Sequence, residues 1–187
     1  MSYRNGTYVA FYVDEPFCDG KSPVTAFDFC YYNLLKAWKE TDPNFDFIDS
    51  HEKTYQVRDD SDFNSTLVPR IRERLKNSKN MILFLSSHTK QSKALKEEIE
   101  YGAIELGLPI IVVYPEFNFN SQINIDGKLT LRTLSLIDNN LPVLRRAMTF
   151  VPTAHILLNK ENINACIDFA PLTISGKIDK GIYTYKK

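Results

Sequence analysis

The sequence predicts an α/β protein, a three-layer sandwich in which helices cover both faces of a central parallel sheet. Four short apolar runs alternate with three helix-like stretches between residues 7 and 114. The runs are rich in apolar, aromatic and β-branched residues at nearly every position, which is typical of strands buried on both faces. Strands that alternate with helices in this way favour a parallel sheet wound on both sides.

The first elements have ordinary start and stop signals. A strand is predicted over residues 7–13 (TYVAFYV). Ser22 then opens a helix as its N-cap, and Pro23 occupies the first helical position, where its missing N–H costs nothing. This helix ends near residue 40, and a second strand is predicted over residues 45–48 (FDFI). The side chains expected on the buried face of the helix are Phe27, Leu34, Leu35 and Trp38.

The middle of the chain repeats the pattern twice. After a polar loop over residues 49–64, a second helix is predicted over about 65–77, and Pro69 disturbs its first turn. The third strand is predicted over 81–85 and the third helix over about 91–106. The fourth strand, IIVVY, ends at Pro115.

Beyond Pro115 the pattern is weaker. FNFNSQINIDGKLT predicts a loop or a hairpin, residues 141–148 a short helix, and TAHILL a fifth strand over 153–158. Asn159 is expected to cap a helix. The apolar face of that helix is predicted to hold Ile163, Cys166 and Ile167. We expect residues 1–187 to form one domain, with a core over about 7–116 that residues 117–187 complete.

Composition excludes several classes of protein. Lys and Arg number 23, as do Asp and Glu, so there is no strong positive field for nucleic-acid phosphates. The longest apolar runs are well short of the ~18 residues that span a bilayer, and the amino-terminal segment does not fit a signal peptide. We therefore expect a soluble, cytoplasmic protein with neither a membrane nor a nucleic-acid partner. Its cysteines are predicted to be reduced thiols; they are Cys18, Cys30 and Cys166.

No metal site is predicted, because the histidines lack partners at metal-ligand spacing; they are His51, His88 and His155. In an open parallel sheet the ligand crevice lies beyond the carboxyl ends of the strands. The segments to consider are therefore residues 14–21, 49–64, 86–91 and the stretch after residue 115.

Three glutamates on the third predicted helix differ in their direction. At about 100° per residue, one stripe should face the sheet; it holds Leu95, Ile99, Gly102 and Leu106. Glu97 points away from this stripe into solvent, and Glu100 lies well to one side. Glu98 flanks the stripe early in the helix, near the carboxyl end of the third strand, so it alone is placed to reach a crevice. The alternative is that Glu98 only complements the helix dipole, worth about 0.3–1 kcal/mol.

Three segments together resemble a known family: YVAFYVDEP, LVPRIRERLKNSKNMILFLSSHT and SKALKEEIEYGAIELGLPIIVVYP. Their order resembles the TIR-like domain of the Thoeris antiphage-defence ThsB family, over about residues 7–116. The resemblance implies a flavodoxin-like, TIR-like sandwich with about five parallel strands. In catalytic TIR domains a glutamate follows a tryptophan by four residues on the third helix; here those positions hold Glu98 and Ala94. Where the family has a serine near the end of the first strand, this chain has Tyr12 and Val13.

The resemblance implies cleavage of the nicotinamide–ribose bond of NAD, with NAD as a substrate; no GxGxxG cofactor fingerprint is present. Glu98 is the implied catalytic residue. The product is predicted to be an ADP-ribose-derived signal, cyclic in the first instance, that activates a separate effector protein. Linear ADP-ribose or a conjugate also fits, and copies of the chain are expected to associate. The implied substrate-binding residues are Phe11, Tyr12, Asp49, Ser50 and Ser87.

Two other functions stay open on the sequence. A nucleoside 2-deoxyribosyltransferase-like enzyme also uses one glutamate at an N-glycosidic bond, and a non-catalytic TIR module would act through protein contacts alone. A phospho-receiver domain fits poorly. Asp14 and Glu15 would suit its acidic pair, but the third strand ends in Ser86 and Ser87 and not in an aspartate.

Overall fold

A five-stranded, wholly parallel sheet forms the centre of the computed structural model, which describes residues 4–12, 27–50, 63–176 and 179–184. The strands are β1 (Gly6–Ala10), β2 (Ser78–Phe84), β3 (Ile110–Tyr114), β4 (Asn124–Ile125), β5 (Lys128–Leu129), β6 (Pro152–Leu157) and β7 (Gly181–Thr184). The order across the central sheet is β1-β2-β3-β6-β7, while β4 and β5 pair separately as an antiparallel hairpin.

Helices cover both faces of the sheet, which confirms the predicted three-layer architecture. The helices are α1 (Phe27–Thr41), α2 (Val68–Lys76), α3 (Lys93–Ile99), α4 (Asn120–Ile123), α5 (Leu131–Asn140), α6 (Pro142–Ala147) and α7 (Lys160–Ile167). Alternate residues of β2 enter opposite cores: Leu83 belongs to the core to which α2, α3, α5 and α6 contribute, and Phe84 to the core to which α1 and α7 contribute. Burial on both faces explains why these strands are apolar throughout.

The third helix has the predicted extent but not a uniform geometry. Ser92 caps α3, its hydroxyl accepting the Leu95 N–H at 3.1 Å. The helix continues as a π-helical turn, Glu100–Glu105, and Gly107 follows with a φ of 73°, which a glycine adopts at little cost. Because the wider turn rotates the side chains relative to an α-helix, Tyr101 is buried as well as the predicted stripe, of which only Leu106 is half-exposed.

The predicted strand over residues 45–48 is wrong, although the segment does run beside β1. Two backbone hydrogen bonds join this part of the chain to β1, from the Thr7 N–H to the Ile48 carbonyl (2.7 Å) and from the Ser50 N–H to the Thr7 carbonyl (3.3 Å). They make one parallel bridge, between Thr7 and Asp49. The segment therefore lies where a further strand of the sheet would lie, without forming a ladder.

Side chains form hydrogen bonds with backbone groups of this segment that, in a strand, would bond to the neighbouring strand. Lys39 Nζ donates to the Phe45 carbonyl at 2.7 Å, and Asn164 Oδ1 accepts the Asp46 N–H at 2.8 Å. Phe45 and Phe47 are buried, and Trp38 of α1 meets Phe45 edge to face. The alternation of buried aromatic and polar residues led to the prediction of a strand. In the structure the aromatic residues are buried because the segment packs against α1.

The carboxyl-terminal part largely agrees with prediction. TAHILL corresponds to β6, residues 141–148 to α6, and the Asn-rich stretch to α4 and the β4–β5 hairpin. Asn159 caps α7, its side-chain oxygen accepting the Asn162 N–H at 3.0 Å. The predicted apolar face of α7 is buried.

Three elements, the short helix α4, α5 and β7, were not predicted. On α5 only Thr133 and Ile137 are buried, so its apolar periodicity is faint. β7 has four partly exposed residues after an irregular stretch. β1 ends at Ala10, so the predicted strand over residues 7–13 is too long, and Phe11 and Tyr12 lie beyond it. Val13, the predicted first-helix start at Ser22 and Pro23 and the side chain of Phe27 lie outside the described residues. Within the described part of the chain, no helix combines the length and apolarity needed to cross a membrane.

Candidate functional site

Glu98 points from α3 toward β1 and not into solvent. Its carboxyl oxygen Oε1 accepts a hydrogen bond from the Tyr8 hydroxyl at 2.8 Å. Tyr8 is fully buried in β1, in the same core as Leu95 and Ile99. The second oxygen, Oε2, is shielded from solvent and has no hydrogen-bond partner within the described part of the chain. A shielded polar atom without a partner is uncommon in folded proteins and indicates either strain or a functional role.

The environment of Glu98 perturbs its acidity. Burial raises the pKa of Glu98 to about 8, although the Tyr8 hydrogen bond and the positive charge of Arg74 both oppose this shift. Burial also raises the pKa of Tyr8 well above its usual value, so the hydroxyl keeps its proton and acts as the donor. At neutral pH the free protein therefore holds Glu98 mainly as the carboxylic acid. Strongly perturbed carboxyl groups of this kind are concentrated at functional sites.

The neighbouring glutamates have surface partners. Glu97 Oε1 lies 2.7 Å from Arg72 Nε on α2. Glu97 was predicted to point into solvent, but its side chain turns toward α2. Glu100 Oε1 lies 3.4 Å from Arg146 Nη1 on α6. Both pairs are partly exposed. All three glutamates are half-buried as whole residues, and Glu98 differs from the other two in its direction and in having a carboxyl oxygen that is shielded from solvent.

Phe11 and Tyr12, which directly follow β1, lie on opposite sides of the sheet. Tyr12 packs on the same side as Tyr8, and Lys90 Nζ lies 6.0 Å from the centre of its ring. Phe11 packs on the other side, where its ring stacks on Tyr32 of α1 with centroids 5.3 Å apart. The two side chains continue the alternation of the preceding strand, so of these two aromatic residues only Tyr12 lies on the same side of the sheet as Tyr8 and Glu98.

Asp49 belongs to the Phe11 side of the sheet. Its Oδ2 accepts a hydrogen bond from the Tyr32 hydroxyl at 2.5 Å, so Tyr32 links Phe11 to Asp49. Lys36 Nζ lies 5.6 Å from the centre of the Tyr32 ring. These residues form an aromatic and acidic cluster against α1, separated from Glu98 by the sheet.

The two predicted serines lie at opposite ends of the sheet. Ser50 Oγ lies 2.7 Å from Ser78 Oγ at the amino-terminal start of β2, and a Cβ on Gly6 would come within 2.4 Å of Ser50 Oγ. Ser87 follows the carboxyl end of β2 and donates from its hydroxyl (2.6 Å) and its N–H (2.9 Å) to the Glu116 carboxylate. The six predicted site residues therefore do not form one cluster among the described residues. Residues 13–26 and 51–62 lie outside the described part of the chain.

Comparison with known families supplies the assignment. Residues 8–120, more than half of the chain, match the family described as Thoeris protein ThsB, TIR-like domain. The chain belongs to this family. It is therefore a TIR-like protein of Thoeris antiphage defence. The match begins at Tyr8 and includes Glu98, whereas β6 and β7 complete the sheet from beyond it.

Sequence reasoning missed Tyr8, although a signal was present. In this ThsB-family chain, period-two alternation along TYVAFYV places Tyr8 on the same face as Tyr12. A tyrosine in the middle of a strand buried on both faces needs a partner for its hydroxyl. The facing helix offers few acceptors, and Glu98 is the one that the structure shows.

A second missed residue shapes the loop after β2 in the ThsB-family fold. Asn140 Nδ2 donates to the carbonyls of Ser86 (3.3 Å), Ser87 (3.0 Å) and Thr89 (3.1 Å). Together with Glu116 it fixes the loop at the carboxyl end of the sheet. Nothing in the sequence distinguishes Asn140, because it is the last residue of α5, a helix that was not predicted.

The described residues also enclose a cleft of ≈ 640 Å³ at the opposite, amino-terminal edge of the sheet. Lys79 and Asp168, which form an ion pair, line it together with Arg4 and Asp46. A hydrogen bond between the carboxyl groups of Asp46 and Asp168 raises the pKa of Asp46. None of the six predicted site residues lines this cleft. No group of three or more potential metal ligands occurs among the residues that the structure describes.

Proposed function

We propose that the protein cleaves the nicotinamide–ribose bond of NAD and that Glu98 is the catalytic carboxylate. Membership in the ThsB TIR-like family supports the reaction class. The observation that carries the assignment to Glu98 is its asymmetric carboxyl group. Tyr8 holds Oε1, whereas Oε2 is shielded from water and has no partner among the described residues. A shielded, unpartnered oxygen is what a developing positive charge on a bound substrate would require.

The chemistry needs one such group. When the bond between ribose C1′ and the nicotinamide nitrogen breaks, both electrons leave with nicotinamide, and positive charge develops on the ribose. A carboxylate in a site with little water stabilises that charge far better than water does. A nucleophile then attacks C1′ and releases its proton. Water gives ADP-ribose, whereas a nitrogen or hydroxyl of the same ADP-ribose gives a cyclic product.

Glu98 must lose its proton before it can do this. With a pKa of about 8, the free protein holds most of it neutral at pH 7, an observation that by itself favours a non-catalytic module. However, the nicotinamide ring of NAD is cationic, and a positive charge close to a carboxyl group favours its ionised form. We therefore expect NAD binding to release a proton, and activity to rise with pH toward 8.

The product would act on a separate effector protein. An ADP-ribose-derived molecule, in the first instance a cyclic one, is small enough to diffuse and carries the signal without direct contact between the proteins. Association between copies of this chain, with a neighbour completing the pocket, stays a prediction. So does the participation in substrate binding of Phe11, Tyr12, Asp49, Ser50 and Ser87.

The test is nicotinamide release from NAD, with products identified by chromatography and mass spectrometry. Wild type, Glu98→Gln and Glu100→Gln are compared in lysates of phage-infected cells, so that a trigger produced by infection is present. Glu98→Gln is expected to lower the rate at least about 100-fold, because it removes the charge aimed at the transition state. Glu100→Gln makes the same chemical change at a surface ion pair and should stay within about twofold of wild type.

Other outcomes favour other functions. Equal rates from wild type and Glu98→Gln would remove Glu98 from the mechanism. No release from any folded variant, with infection confirmed, would favour the non-catalytic module. Exchange of bases between deoxynucleosides without nicotinamide release would favour the deoxyribosyltransferase-like enzyme.

A further inference from the structure

We propose, on the basis of the function proposed above, that Tyr8 is a positioning residue that holds Oε1 of Glu98 and so fixes Oε2 as the oxygen presented to the substrate. Tyr8 would not itself touch the reacting atoms. Its hydroxyl would set the rotation of the carboxyl group and adjust the free energy needed to ionise it.

The rigidity of both partners supports this role. Tyr8 lies in the middle of β1, paired in register with Met81 of β2, and its side chain is fully buried. Leu95 and Ile99 flank Glu98 on α3 and are anchored in the same core. The donor and the acceptor therefore cannot move apart without disrupting the packing between the sheet and the helix.

The hydrogen bond gives the two carboxyl oxygens different tasks. Rotation about the last bond of a free glutamate exchanges its oxygens, and each orientation costs entropy to select. Here the Tyr8 hydroxyl, 2.8 Å from Oε1, selects one orientation in advance. A catalytic group that is held in place before the substrate arrives loses less entropy in the transition state.

The Tyr8 hydrogen bond also opposes the effect of burial on the pKa of Glu98. A hydrogen bond to a carboxylate stabilises its charged form, and Tyr8 accordingly lowers the pKa of Glu98 against the effect of burial. Arg74 on α2 acts in the same direction through its charge. Among the described residues, two ion pairs join the third helix to its neighbours, Arg72–Glu97 on the α2 side and Arg146–Glu100 on the α6 side.

The decisive variant is Tyr8→Phe, which removes the hydroxyl and keeps the ring. Tyr114→Phe is the matched control, because Tyr114 is also fully buried and its hydroxyl contacts His155 Nδ1 at 2.8 Å, with no contact to Glu98. The first measurement needs no activity: the titration of Glu98 is followed by ¹³C NMR of its carboxyl carbon, assigned by the loss of that signal in Glu98→Gln. Tyr8→Phe is expected to raise the Glu98 pKa by about one unit, and Tyr114→Phe to leave it unchanged.

The second measurement is the pH profile of nicotinamide release. In Tyr8→Phe the acidic limb should move to higher pH by the same amount as the NMR titration. At pH values above both limbs, kcat should still be about tenfold lower while KM changes less than twofold, because the carboxylate is charged but not held. A purely structural role for Tyr8 would lower the amount of folded protein without moving the limb.

The outcomes are separable. An unchanged Glu98 titration in folded Tyr8→Phe, or a shifted titration with unchanged kcat, would overturn the proposal. A shifted titration with no nicotinamide release even from wild type would overturn the proposed function, and with it the positioning role. If Tyr8→Phe does not fold, replacement of Tyr8 by 3,5-difluorotyrosine keeps the ring and offers a more acidic donor. It should shift the Glu98 titration to lower pH, and no shift would overturn the proposal.

Discussion

Glu98→Gln is expected to gain stability relative to wild type as the pH rises, by about 3 kcal/mol between pH 5 and pH 8. The pKa of Glu98 is about 8 in the folded protein, against 4.5 for an ordinary glutamate. Between these values the folded protein keeps the proton and the unfolded chain releases it. The stability that Glu98 contributes is therefore fully present below the unfolded value and falls as the pH rises toward 8. Glutamine, which does not titrate, escapes this loss.

Urea denaturation at several pH values measures the difference directly. Comparison of Glu98→Gln with wild type at each pH removes every effect that the two proteins share. The unpartnered amide that the glutamine introduces does not titrate, so it adds the same constant to the difference at every pH. Ile99→Val is the control, since it changes a buried neighbour on α3 without altering any charge. Its cost of about 0.5–1.5 kcal/mol should be the same at every pH. A gap between Glu98→Gln and wild type that stays constant would mean that Glu98 is already ionised in the folded protein.

The wild-type curve alone would not reveal this effect, because His155 acts in the opposite direction. Burial lowers the pKa of His155 to about 3, and its ring nitrogens are engaged by Tyr114 (2.8 Å) and Thr153 (3.1 Å). The folded protein thus keeps His155 neutral while the unfolded chain takes up a proton as the pH falls below about 6.5. His155 therefore lowers stability toward acid, and Glu98 lowers it toward neutral and mild alkaline pH.

The sequence predicted those elements whose pattern comes from burial on both faces of the sheet. IIVVY and MILFL are strands because every side chain meets a core, and no turn or partner is needed to recognise them. The prediction of a strand over residues 45–48 was wrong because side chains from elsewhere in the sequence bond to its backbone. The aromatic alternation of this segment is real, but Lys39 and Asn164 take up backbone groups that a strand would give to its neighbour. Hydrogen bonds between the backbone and side chains outside the segment leave no signal in the local sequence.

The candidate site was predictable in direction and not in detail. Helical geometry singled out Glu98 among three glutamates, and the structure does separate it from Glu97 and Glu100. The pairing with Tyr8 joins residues 90 positions apart, which periodicity within either element cannot reveal. Strand alternation could have shown that Phe11 and Tyr12 face opposite ways. Predicting both as the lining of one pocket ignored that rule.

Asn80→Ala is expected to destabilise the protein by about 3–5 kcal/mol. Asn80 is fully buried at the start of β2 and bonds in three directions. Its Oδ1 accepts the Thr7 hydroxyl at 3.0 Å, and its Nδ2 donates to the carbonyls of Ile167 (2.9 Å) and Leu172 (3.1 Å). Alanine would leave a hydroxyl and two carbonyls without this partner in a site that excludes water, and each such loss costs about 1–3 kcal/mol.

The control is Asn139→Ala, because the amide of Asn139 is exposed and donates only to Ser135 Oγ within α5. Its effect should stay within about 0.5 kcal/mol. Urea denaturation is followed by far-ultraviolet circular dichroism and by the fluorescence of Trp38, the single tryptophan of the chain, which packs beside Phe45. The family match ends at residue 120, whereas Asn80 ties β1 and β2 to residues 167–172. If residues 1–187 form one cooperative domain, both signals shift together in Asn80→Ala. A fluorescence transition that separates from the circular dichroism, or a loss below about 1 kcal/mol, would mean that the carboxyl-terminal part is attached to the TIR-like core without being integral to it.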